Sequence, residues 1–110
     1  MLDVLSVHSF SPKIFGGTTA AAGLLWENWE DMYIVYQPAS SETHVFNQCT
    51  AIILDCLEKG LLSSDKLKRR TEIALGVGEG MLSYDDFSFA MMRLDELGLI
   101  ECVDGSRAVQ

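Results

Sequence analysis

The residues able to do chemistry in this 110-residue chain are few and widely spaced. His8 and His44 have no histidine or cysteine at metal-ligand spacing, so no zinc-type donor set is written locally. The three cysteines form no CxxC pair, and Cys49 and Cys56, seven residues apart, would stand about 10.5 Å apart along a helix. That is too far for a disulfide, and an odd count suits free thiols of a reducing compartment, where all three are expected as buried small hydrophobes. The one glycine cluster, at 76–80, lacks the lysine of a phosphate loop and precedes a helix that begins with two acids. Serine, histidine and aspartate occur in no local nucleophile motif. The expectation is a protein that is not an enzyme and takes no metal or cofactor. His44 reads first as a partly buried strand histidine, second as a peptide contact, and last as a catalytic base, since it has no located partner.

Binding surfaces leave a clearer trace. In the last helix Phe87, Ala90, Met91, Leu94 and Leu97 fall within about 120° at helical spacing, and Phe89 and Met92 lie on the far side beside Asp85 and Glu96. Either those two belong to a core that surrounds the helix, or they form an apolar patch rimmed by acids, and such a patch marks a partner site. The third strand of the chain, Glu42-Thr43-His44-Val45-Phe46, has a sequence neighbour on one side only. An edge of that kind offers free backbone donors and acceptors to an added strand.

Charge excludes a further class. Sixteen acidic against eight basic residues give a formal net charge of -8. Nucleic-acid binding draws much of its affinity from basic surfaces facing phosphates, so this chain is not expected to bind nucleic acid. Five of the eight bases, Lys59, Lys66, Lys68, Arg69 and Arg70, gather on and just before one helix. That run reads as a solvated helix face first and an anionic-partner surface second. No apolar run approaches the ~18 residues of a membrane span. An acid stands at position 3, and Lys13 is the only base before Lys59, so no secretory signal is read and a cytoplasmic location is expected.

The elements that must position these residues follow from hydrophobic period. Residues 1–23 are a weakly patterned lead-in broken by Pro12 and Gly16-Gly17, in which Leu2, Val4, Leu5 and Val7 suit a short strand or a helical turn. Residues 24–29 and 32–36 are aromatic and β-branched, with Glu30-Asp31 as a tight turn between them. In the second run Met32, Ile34 and Tyr36 oppose Tyr33 and Val35, so both faces are apolar and the strand is expected to be central and covered. Residues 42–46 complete an antiparallel meander. Asn47 then caps a first helix with Ile52, Ile53, Cys56 and Leu57 near one face, stopped at Gly60. Ser63 or Ser64 caps a second helix to about Leu75, whose inner face is expected to hold Leu67, Ile73 and Ala74. Ser83 opens the third helix, Gly98 ends it, and residues 99–103 suit a terminal strand. The fold class is thus α+β: a three-stranded antiparallel sheet, three helices and a short strand. Its second half has the outline of a winged helix-turn-helix. The organisation is a lead-in over 1–23 and one domain over 24–110.

Residues 26–36 (WENWEDMYIVY), 38–47 (PASSETHVFN) and 94–100 (LDELGLI) look like the PqqD-type small proteins of the HPr-rel-A system, over about residues 24–103. The run Thr43-His44-Val45-Phe46-Asn47 is the most telling, the Leu-Gly-Leu-Ile ending is generic to winged helices, and the glycine-bearing segment at 76–80 departs from the pattern. The resemblance implies a non-catalytic peptide chaperone, a recognition element that holds a ribosomally made precursor peptide and presents it to a modifying enzyme. It further implies that the leader peptide adds to the third strand and lies against the third helix. That role falls on Glu42, Thr43, His44, Val45, Phe46, Phe89, Met92, Arg93 and Glu96. Two other classes stand beside it: a winged-helix transcriptional regulator, and an adaptor that docks on a kinase-like protein from the same gene neighbourhood. A loose N-terminal arm also leaves open a homodimer formed by element exchange.

Overall fold

A computed structural model describes residues 13–103 of the chain. The readings made above for Leu2 to Val7 and for His8 lie outside the described residues. The fold is α+β. In chain order it runs β1 (Ile14–Gly17), α1 (Thr19–Ala22), β2 (Leu25–Trp29), β3 (Met32–Gln37), β4 (Glu42–Phe46), α2 (Gln48–Glu58), β5 (Leu62–Ser63), α3 (Ser64–Leu75), α4 (Tyr84–Glu96) and β6 (Ile100–Cys102).

Two three-stranded antiparallel sheets result, one in the order β2-β3-β4 and one in the order β5-β1-β6. The first is the meander expected from its alternating residues, closed at one end by the two-residue turn Glu30-Asp31, where Trp29 pairs with Met32 and Glu30 takes a φ of 57°. The second was not legible: Ile14–Gly17 lies in the stretch read as a lead-in. Here β1 is the central strand, and Thr18 ties its end to the far terminus of the fold, its amide donating to the Leu99 carbonyl (3.0 Å) and its Oγ1 to that of Gly98 (2.7 Å). Ala21, in α1, is buried in the same core as the helices.

Each of the three longer helices begins at a side-chain cap. The Asn47 carboxamide accepts from the Thr50 amide (2.8 Å), Ser63 from Lys66 (3.4 Å) and Ser83 from Asp86 (3.1 Å). These contacts satisfy amides that the helix itself leaves free. The end of α3 is fixed by Gly76 at a φ of 79°, where a side chain would meet no neighbour within 4 Å. Gly76→Ala should therefore carry only the left-handed backbone cost of about 1–2 kcal/mol, read as a lower Tm in a thermal melt with an unchanged far-UV spectrum.

The core sits where α2 meets the inner face of β2-β3-β4, β1, α3 and α4. It contains Val35, Phe46, Ile53, Leu54, Leu57, Leu67, Phe87, Leu94 and Leu99. Two of the expected faces are corrected. On α3, Ile73 and Ala74 point to solvent, while Thr71 and Glu72 are buried beside Leu67. The helix is turned so that Glu72 faces the segment that follows it, and its carboxylate finds four donors, Lys68 and Arg69 on its own helix and the amides of Gly80 and Leu82. On the meander, β3 is central but covered on one side only; Met32 and Tyr36 are exposed, because α2, the helix that packs on β3 and β4, lies against the opposite face. The basic run on α3 is also less solvated than expected: Lys68 and Arg69 bend to Glu72, and Lys68 Nζ lies 4.9 Å from the centre of the Tyr84 ring. Among the described residues no helix is long and apolar enough to cross a membrane.

Candidate functional site

Strand β4 stands at an edge of its sheet, and among the described residues no strand pairs with its outer side. In register with β3 it sets Val45 opposite Ile34, His44 opposite Val35 and Phe46 opposite Tyr33. Alternate residues of such a strand direct their N–H and C=O outward, so the open side is a ladder awaiting a partner.

The side chains divide sharply. His44 and Phe46 point inward and are buried; the His44 ring stacks on Phe46 with centroids 5.9 Å apart, and its Nε2 lies 2.9 Å from Oε1 of the buried Gln37. His44 is thus a satisfied strand histidine, the first of its sequence readings. What these two positions offer at the edge is backbone. Glu42, Thr43 and Val45 are exposed.

Helix α4 resolves the two alternatives for its far side. Phe89 is 70% and Met92 55% exposed, while Phe87, Ala90, Met91 and Leu94 fill the core. The exposed stripe is flanked by Asp85 and Glu96, themselves exposed. Arg93 joins this helix to the strand, its guanidinium carbon 5.6 Å from the centre of the Phe46 ring. Of the nine residues expected at a peptide site, five therefore form one sheet edge and four one helix face, with the Arg93–Phe46 contact between them.

The outer face of the sheet carries a feature that sequence alternation concealed. There Trp29, Met32, Ile34 and Val45 line a hollow of about 430 Å³ with Glu30 and Asp31. On the inner side, a cleft of about 510 Å³ separates Trp26, Asn28 and Tyr33 from Ala51, Ile52, Asp55 and Glu58 of α2. Burial, reinforced by the Asp55 carboxylate, raises the pKa of Glu58.

Cys49, Cys56 and Cys102 are partly buried. Burial raises the pKa of Cys49 and of Cys56, the nearby Asp86 and Asp55 respectively adding to it, which disfavours the thiolate needed for nucleophilic work. Among the described residues no three of His, Cys, Asp and Glu gather into a group that could hold a metal ion. Comparison with protein-family models, with curated proteins and with solved structures finds no match to this chain.

Proposed function

We propose that the chain is a peptide-recognition module with a winged-helix-like second half, in which an extended segment of a ribosomally made precursor adds to the open side of β4 and rests on α4. The observation that carries this reading is the pairing of a strand edge that is unpartnered among the described residues with an exposed apolar stripe on the helix that Arg93 joins to it. Backbone pairing would supply affinity, and Phe89 and Met92 would select apolar side chains of the peptide. Asp85 and Glu96 beside them favour a peptide that also carries basic residues. The module holds its peptide for a modifying enzyme and does no chemistry of its own.

A transcriptional regulator would present α4 to DNA. That helix carries Asp85, Asp86, Asp95 and Glu96 against the single base Arg93, and it would repel phosphate.

Titration of the 15N-labelled protein with precursor peptides encoded beside its gene tests the proposal. Shifts are expected along residues 42–46 and on the Phe89–Met92 side of α4. Replacing both Phe89 and Met92 by serine should weaken binding at least roughly tenfold, the loss of two apolar anchors, and leave Tm unchanged because both are exposed. Shifts that cluster elsewhere, or a double variant that binds as tightly as the parent, would sink it.

A further inference from the structure

The face of β2-β3-β4 that stays exposed among the described residues is built in cross-strand rows. Leu25 pairs with Tyr36 and Tyr36 with Thr43; Glu27 with Ile34 and Ile34 with Val45; Trp29 with Met32. Residues directly opposite each other in an antiparallel pair share a face, so these side chains form one surface. Leu25 is 61% and Trp29 62% exposed, and Met32, Tyr36 and Val45 are also exposed. Single exposed hydrophobics are ordinary, whereas a contiguous surface of this kind marks an interaction site.

We propose that this face docks a second protein through a segment that is apolar and carries at least one lysine or arginine. Charge selects the occupant. The chain has no lysine or arginine between Lys13 and Lys59, so every charge on the meander is acidic: Glu27, Glu30, Asp31 and Glu42. None of the four makes an ion pair among the described residues. Glu27 sits in the middle row, and Glu30 and Asp31 close the hollow lined by Trp29, Met32, Ile34 and Val45. A long basic side chain fits that arrangement by laying its methylene stem on Ile34 and Val45 and its charged head between the two carboxylates. A second copy of this chain, packed face to face, would instead oppose acid to acid, and a purely apolar partner would strip water from carboxylates without pairing them. The proposal holds whether or not a peptide adds to β4: an added strand would use the backbone edge of β4 and lie toward Phe89 and Met92, and the two surfaces share only the Thr43 and Val45 side chains.

The test uses the full chain. Sedimentation should give a monomer, and a soluble gadolinium chelate should broaden the signals of Leu25, Trp29 and Met32; a dimer closed through this face, or protection of it by residues 1–12, overturns the proposal. Labelled protein is then titrated with an 18-residue amphipathic helix of leucine and lysine, and with its leucine and glutamate counterpart. Saturable shifts on Trp29, Met32, Ile34 and Val45 are expected with the lysine peptide alone. Glu30→Gln with Asp31→Asn, or Trp29→Ser with Met32→Ser, should each weaken binding roughly tenfold. Phe89→Ser with Met92→Ser should leave it unchanged, which separates this surface from the peptide site. Absence of saturable shifts, shifts confined to β4 and α4, or equal binding of the glutamate peptide would refute it.

Discussion

Replacing Phe46 by alanine is expected to cost about 3–5 kcal/mol and to lower Tm by roughly 15–25 °C. The side chain is 1% exposed and sits where three parts of the fold meet. It stacks on His44 within its own strand, lies 6.4 Å from the Trp26 ring on β2, and receives Arg93 from α4. Truncation leaves a cavity that a sheet backed by α2 cannot collapse to fill, and it strands Arg93 without its ring. Against a typical stability of about 5–15 kcal/mol for a whole domain, the loss is a large share. Phe46→Leu keeps most of the apolar volume and removes only the aromatic contacts, so it should cost about 1–2 kcal/mol. If Phe46→Ala melts within a few degrees of the parent, the packing described for this strand is wrong.

The same residue shows what was and was not legible beforehand. Strand β4 carries the period of two and the Asn47 cap that follows it, both local signals, and its bounds emerge from them directly. That Arg93 would lie over Phe46 is a contact between residues 47 positions apart, which no local period encodes. The exposure of Phe89 and Met92 belongs to the same class: a surplus of apolar residues on a helix can mean burial all round or an open patch, and only the placement of neighbours decides. Strand β1 was missed for a related reason. Two of its four residues are glycine, so its strand character comes from pairing with β5 and β6 at distant positions and not from its own propensity. The outer face of β3 misled because apolar residues on both sides of a strand read as double coverage, yet α2 packs on one side and Met32 and Tyr36 on the other stay exposed. On α3 an apolar count favoured Ile73 and Ala74 as the inner face. The signal for the true face was present in Lys68, Arg69 and Glu72, an acid three and four residues after two bases and four before a glycine run.

Glu72 is where that inversion has its largest consequence. Its carboxylate is buried and accepts four donors: Lys68 Nζ (3.0 Å), Arg69 Nη1 (3.3 Å), and the amides of Gly80 (3.0 Å) and Leu82 (3.2 Å). It therefore pins the 76–80 loop to α3 and sets the approach to α4. The hydrogen bond from Lys68 lowers its pKa below the ordinary glutamate value; burial opposes this, and the Leu82 amide, the Lys68 charge and Arg69 reinforce it. A carboxylate whose folded pKa is depressed contributes stability that is complete above its unfolded pKa and is lost as pH falls through the folded one. Acid should accordingly loosen this loop first, before the sheet. Glu72→Gln keeps the shape and an acceptor oxygen for the loop amides but removes the anion from Lys68 and Arg69. It should lower Tm at neutral pH by more than Lys68→Ala does, and flatten the dependence of Tm on pH in the acid range. Hydrogen exchange at Gly80 and Leu82 should quicken by roughly tenfold or more, the signature of a local opening made easier by lost acceptor strength, while amides of β3 and α2 slow or quicken only with global stability. A Glu72→Gln protein with the parent's acid limb and the parent's protection at Gly80 would show that the loop holds itself, and that the clamp contributes nothing to it.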